Sequence, residues 1–245
     1  MEKLSLTLGH LYPNLLDIHG DYGNILTLKK RCEWRNIDLI VNEINLEDNL
    51  EKQDIYFIGS GQNLQHITLV ANELQKYKDF LHTEMNNNAV FLGICGGFQI
   101  LGNYIQTEEK KIDGVGLLNS YTVITQDRFV GNVTAKLPDE YNLSKNTLVG
   151  FENHSGKTYM NGETKPLSEI IVGNGNNKED KGEGARFKNV FGTYLHGPFL
   201  PKNPHFADYL IKLALEKKYE KTIELAELDD EIEYSTHESV LNKTY

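Results

Sequence analysis

Residues 91–102 read FLGICGGFQILG, and the chemistry of the chain concentrates there. An apolar run ends in Gly93-Ile94, a cysteine follows, and two glycines open a helical pattern. Strand, sharp turn with a thiol, then helix is the layout of a nucleophile elbow. Only small neighbours fit so tight a turn, and Gly93, Gly96 and Gly97 supply them. Cys95 is therefore the expected nucleophile. It would sit at the carboxyl end of a sheet and at a helix N-terminus that favours the thiolate. Cys32 shares an amphipathic stretch with Leu28 and Trp34 and reads as a packed core residue.

A thiol nucleophile needs a base. Among eight histidines, His154 in GFENHSG and His196 in GTYLHGPF each follow an apolar strand and precede a glycine turn. The other six lie in turns or on helices without distinctive surroundings. His196 is the better base: it ends a fully apolar strand, which would bring its ring to the sheet edge of Cys95, about 100 positions upstream. Acyl transfer also requires backbone N–H groups for the oxyanion. Gly96 follows the nucleophile directly, and the turn IGSGQ at 58–62, with Gly59 at its start, supplies the second candidate. No Cys or His pair has zinc-ligand spacing, so no metal is expected. Neither a Walker-type nor a Rossmann glycine motif occurs, so no nucleotide site is expected in this chain.

These residues need a sheet to hold them. Asp38–Ile44, Asp54–Ile58 and Ala89–Ile94 have the length and composition of buried strands. Helical patterns lie between them, one ending near Asn36 and one marked by Leu69, Leu74, Tyr77 and Leu81. That alternation indicates an α/β fold with a mostly parallel central sheet and helices on both faces. After Gly114, short strands are expected at Tyr121–Thr125, Asn132–Lys136, Thr147–Phe151 and Glu169–Val172. NGNN at 174–177 and KEDKGEG at 178–184 read as a long polar loop. Val190–Leu195 is a last strand, and a helix runs from Phe206 to about Tyr219. The expected division is one domain over 1–220 and an acidic tail over 221–245.

The formal charge of −10, from 25 basic and 35 acidic residues, argues against nucleic-acid binding and a polybasic membrane anchor. No apolar run reaches the roughly 20 residues of a membrane helix. The start of the chain lacks the layout of a secretory signal, and two cysteines make no disulfide framework. A cytoplasmic protein with reduced cysteines is expected. Glu224–Glu238 holds seven acids and no Lys or Arg, and reads as a solvated, partly helical tail or as a docking surface for a basic partner.

GICGGFQ, GFENHSG and GTYLHGPF, in that order, resemble the class I glutamine amidotransferases of the cobyric acid synthase branch. DIHGDYGNI, NGNNKEDKGEG and LHGPFLPKNP are similar to segments of the GatD family, the glutaminase subunits of lipid II isoglutaminyl synthase. The resemblance implies a flavodoxin-like class I amidotransferase fold. It also implies hydrolysis of L-glutamine to glutamate and ammonia through a thioester on Cys95, with His196 as base. Arg128, in QDRFVGNV, matches a glutamine-binding arginine, and Gln99 matches a residue lining the glutamine site. A guanidinium fork suits the free carboxylate of glutamine. Ammonia would pass to a MurT-like Mur ligase subunit in a stable heterodimer, at the inner face of the membrane through that complex. This partner would carry ATP and Mg and would amidate the D-glutamate of the lipid II stem peptide. Alternatives are another acceptor, such as a corrinoid carboxylate, and a non-catalytic scaffold. Many relatives carry an acid two residues past the histidine, where this chain has Pro198. Glu152, Asp21 or a carboxylate of the partner would then orient the imidazole.

Overall fold

The computed structural model describes residues 3–18, 20–61 and 63–242. His19, Gln62 of the IGSGQ turn, and positions 243–245 of the expected tail lie outside the described residues. The first half alternates strand and helix: β1 (Ser5–Leu11), α1 (Tyr22–Glu33), β2 (Asp38–Ile44), β3 (Ile55–Ile58), α2 (Leu64–Gln75), α3 (Lys78–Asn86), β4 (Val90–Ile94) and α4 (Gly96–Leu101). The second half is strand-rich: β5 (Tyr104–Gln106), β6 (Lys111–Asp113), β7 (Ser120–Lys136), β8 (Thr147–Met160), β9 (Ser168–Val172), β10 (Gly182–Glu183), β11 (Ala185–Phe187) and β12 (Val190–Thr193). Helices α5 (Pro204–Tyr219) and α6 (Glu231–Leu241) close the chain.

The central sheet has the order β11-β12-β4-β3-β1-β2. All its pairings are parallel except that of β11 with β12. Its parallel strands, counted along the chain, run 2-1-3-4-5, the flavodoxin-like order, in which ligands bind beyond the carboxyl ends of the strands. β3 and β4 are buried at every residue, as central strands covered on both faces must be. β2 has the expected limits, but the strand order puts it at the sheet edge, where Ile40 is 56% exposed. Apolar composition alone cannot distinguish an edge strand from a central one.

The second sheet, β10-β9-β7-β5-β6 with β8 also on β7, is mostly antiparallel. The two short strands expected at 121–125 and 132–136 are one 17-residue strand, β7. Its polar middle is accommodated by a register shift against β8 between Ile124 and Phe129. The helical pattern marked by Leu69 to Leu81 is two helices. Its buried stripe is Ile67, Val70, Ala71 and Leu74, and Leu69 faces outward.

Residues 221–242 do not stand off as a solvated tail. His237 is fully buried and bonds Thr147 Oγ1 and the Lys202 carbonyl, both at 2.8 Å. Asp230 accepts two bonds from the buried Arg31 guanidinium, which also forks onto Asp208. Lys145 pairs with Glu238 at 2.7 Å. Two of the acids, Asp230 and Glu238, are thus paired with basic groups of the preceding domain. No described helix is long and apolar enough to cross a membrane.

Candidate active site

Cys95 lies between β4 and α4 with φ +48° and ψ −99°, a left-handed backbone that non-glycine residues rarely adopt. Neighbouring strands hold it there. The Cys95 N–H donates to the Thr193 carbonyl at the end of β12 at 2.8 Å. On the other side, the Gly97 N–H donates to the Gly59 carbonyl in the turn after β3 at 3.1 Å. A Cβ on Gly97 would stand 2.2 Å from the Ile58 carbonyl oxygen, and one on Gly93 would stand 2.8 Å from the Gly97 carbonyl carbon. Close backbone approach, more than conformational freedom, therefore demands glycine at these positions.

A pocket of about 190 Å³ opens in front of the thiol. Cys95, Gln99, Arg128, Asn153, His154 and Gly61 are among its lining residues. The expected nucleophile and the two expected glutamine contacts are thus brought together. Arg128 sits in the irregular stretch of β7, and its Nε donates to Asn153 Oδ1 at 2.7 Å. Nη1 and Nη2 form no hydrogen bond among the described residues, which leaves the outer edge of the fork for a ligand carboxylate. Gln99 is nearly buried at the back, its Nε2 donating to Tyr194 Oη at 3.1 Å.

His196 lies just beyond β12, the strand neighbour of β4, and so at the same sheet edge as Cys95. It is buried rather than pocket-lining. Its backbone exchanges hydrogen bonds with Phe151 of β8, at 2.9 and 3.3 Å. Gly96 opens α4 directly after the nucleophile, as expected. In the 58–61 turn, the Gly59 carbonyl is spent on the elbow, and Gly61 is the residue that borders the pocket. The Gly61 nitrogen stands 3.0 Å from a Cβ built on Gly96, which places the two backbones side by side.

Burial pushes the Cys95 thiol up to about 12; the Asp21 carboxylate adds to this, while the Gly96 N–H and Arg128 oppose it. The helix N-terminus expected to stabilise a thiolate belongs to a six-residue helix and does not outweigh burial. At rest Cys95 is therefore a neutral thiol, and a nucleophilic role would require a base to take its proton. Asp21 is buried and receives the Ser60 N–H at 2.5 Å, and burial raises its carboxyl to about 6. Glu152 receives the Asn174 N–H and Nδ2 and the Gly175 N–H at 2.6–3.0 Å. Its Oε2 stands 3.8 Å from His154 Nε2.

From the sequence, Asn153 had no role and His154 was only the lesser candidate for the base. Asn153 braces Arg128, and His154 stacks on Tyr194 with ring centroids 3.6 Å apart. His154 Nδ1 donates to the Gly156 carbonyl at 2.7 Å. Cys32 is a buried residue of α1, as expected. Among the described residues, no group of three or more His, Cys, Asp or Glu is placed to hold a metal ion.

Residues 7–204 match the CobB/CobQ-like glutamine amidotransferase domain. The chain is 40% identical over 229 residues to subunit GatD of the glutamine-hydrolyzing lipid II isoglutaminyl synthase of Streptococcus pneumoniae, covering 92% of this chain and 86% of that protein. It is 38% identical over 241 residues to the Staphylococcus aureus subunit of the same description, covering 97% and 96%. In fold it resembles the structure of PurLQS from Thermotoga maritima, with a TM-score of 0.59 at 14% identity, over 90% of this chain and 100% of that one.

Proposed function

The chain belongs to the CobB/CobQ-like glutamine amidotransferase family, alongside the GatD subunits, and on that premise we propose that it is the glutamine-hydrolysing subunit of a lipid II isoglutaminyl synthase. The observation that carries the reading is the meeting of Cys95, on its strained turn, with Arg128 across one pocket.

Glutamine enters with its α-carboxylate on the Arg128 fork and its side-chain amide at the thiol. His196 takes the thiol proton as sulfur attacks the amide carbon, because a thiol held near 12 supplies almost no thiolate by itself. The tetrahedral oxyanion is received by the Gly96 N–H and an N–H of the 59–61 turn. The imidazolium returns its proton to the departing nitrogen, and ammonia leaves a γ-glutamyl thioester on Cys95. Water, deprotonated by His196, then hydrolyses the thioester to glutamate.

Ammonia passes to an ATP-using, Mur-ligase-like partner in a heterodimer, which amidates the D-glutamate of the lipid II stem peptide. In bulk water near neutral pH ammonia is mostly ammonium, which is not a nucleophile, so direct transfer favours a stable complex. Both Glu152 oxygens and Asp21 Oδ2 accept backbone N–H groups of turns, while the buried Asp21 Oδ1 accepts no hydrogen bond among the described residues. The third source weighed for orienting the imidazole is a carboxylate of the partner, which would make hydrolysis depend on assembly.

The test is glutamate and ammonia release from L-glutamine by the chain together with its synthetase partner. Release that disappears in Cys95→Ala supports the reading. Release that survives in the variant, or is absent from the wild-type complex, contradicts it.

A further inference from the structure

The polar loop 173–184 is built inward. Asn176 and Asn177 are buried, and Asn176 closes the loop by bonding both the N–H and the carbonyl of Gly184, at 2.9 and 2.8 Å. Gly182 and Glu183 pair with Glu169 and Ser168 of β9. Loop and pairing together drive the Glu183 side chain into the interior, where it is 1% exposed.

There, one carboxylate oxygen organises a whole segment. Glu183 Oε1 accepts from Thr193 Oγ1 and from the Tyr194 N–H, each at 2.8 Å. Thr193 Oγ1 in turn accepts the Leu195 N–H at 3.0 Å. The carbonyl of the same Thr193 receives the Cys95 N–H, and His196 follows Leu195 directly. The Tyr194 side chain continues the network, receiving Gln99 Nε2 and bonding Thr158 Oγ1 at 2.6 Å. Burying a carboxylate is unfavourable, and an apolar residue would fill the space without that cost. What an apolar residue cannot supply is an acceptor shared by two consecutive residues of the segment that serves both nucleophile and base.

We propose that Glu183 is a positioning residue for glutamine hydrolysis: through Thr193 and Tyr194 it keeps the Cys95 turn and the His196 loop in one register. The inference rests on the glutaminase reading above. Glu183 touches neither the pocket nor Cys95, so it acts only through the segment it holds.

The experiment compares wild type, Glu183→Ala, Glu183→Gln and Thr193→Val, each as the full chain with its synthetase partner. It measures kcat and KM for glutamine, the folded fraction, and the pH dependence of Cys95 alkylation. Glutamine at 183 keeps the Oε1 acceptor, and kcat should stay within about twofold of wild type. Alanine removes the acceptor; kcat should fall at least about tenfold with KM within about twofold, and the alkylation midpoint should move. Thr193→Val removes one of the two donors and the Leu195 acceptor, and should show the same kcat-selective loss if the alanine variant does not fold. The proposal is overturned by wild-type kcat in the alanine variant, or in the valine variant where alanine does not fold. It is also overturned by a loss that only tracks the folded fraction with an unmoved alkylation midpoint, or by equal losses in alanine and glutamine, which would place the effect in charge. Failure of the glutaminase reading looks different: the wild-type complex itself would show no Cys95-dependent glutamate release.

Discussion

The Cys95 N–H donates to the Thr193 carbonyl at 2.8 Å, which ties the nucleophile's turn to the strand that leads into His196. The proposed nucleophile and base lie far apart in the chain, yet a backbone hydrogen bond between adjacent parallel strands joins their segments.

Arg128 offers a fork and not merely a charge. Arg128→Ala should raise KM for glutamine by at least about tenfold, the loss expected for a charge-assisted carboxylate contact. Arg128→Lys should recover only part of it, because a point charge cannot reproduce two parallel donors. Steady-state kinetics of the three proteins checks this, and full recovery by lysine would contradict the bidentate contact.

The elbow has no room for a methyl group. Gly97→Ala puts a carbon where the Ile58 carbonyl oxygen already is. The strain expected of overpacking is about 1–3 kcal/mol, and relief by backbone movement would displace Cys95. A lowered melting temperature should accompany loss of glutamine hydrolysis in the protein that remains folded. A fully active, fully stable alanine variant would show that the turn is looser than described.

The thiol titrates high. With Cys95 pushed up to about 12, iodoacetamide alkylation in the absence of glutamine should be slow near neutral pH and still rising through pH 9. Asp21→Asn keeps an acceptor for the Ser60 N–H but removes a nearby negative charge. It should therefore lower the thiol pKa and speed alkylation at any fixed pH below the midpoint. Peptide mass spectrometry separates Cys95 from Cys32, and a rate that levels off below neutrality would refute the neutral resting thiol.

The C-terminal helix is held over buried, neutral histidines. Burial and the neighbouring His237 push His205 down to about 3, and burial also lowers His237. A histidine whose folded pKa lies below its unfolded value of about 6.5 contributes stability that is present above that value and lost as pH falls toward the folded pKa. Stability to urea should accordingly decline between pH 6.5 and 4, by an amount on the order of a few kcal/mol. The decline should be shallower in His205→Asn. Identical slopes in the two proteins would remove His205 from the account.

Much of the site could be read before the fold was known, because the elbow is local. Cys95, its glycines and the preceding apolar strand are contiguous, and their spacing states the turn they must form. Arg128 was reached by resemblance; QDR looks like a turn, and only pairing with β8 makes it an irregularity within one long strand. The segment 174–184 is the polar loop its composition indicates, apart from the two residues of β10, but composition does not show that Asn176, Asn177 and Glu183 find their partners inside the protein. The acidic tail is partly helical as expected, but the anchoring of its Asp230 by Arg31 from far upstream could not be read there. Long-range polar pairing leaves no periodicity in a sequence, so neither case was legible there.

The most direct test follows the amide nitrogen. The chain, its synthetase partner, ATP, Mg and lipid II are incubated with glutamine carrying a heavy-nitrogen side-chain amide, and the stem peptide is analysed for the label. The account predicts label in the α-amide of D-isoglutamine with the wild-type chain. With Cys95→Ala it predicts none, while added ammonium salt still supports amidation. Labelled isoglutamine formed with the Cys95→Ala chain would contradict it. So would a wild-type complex that amidates from ammonium but never from glutamine.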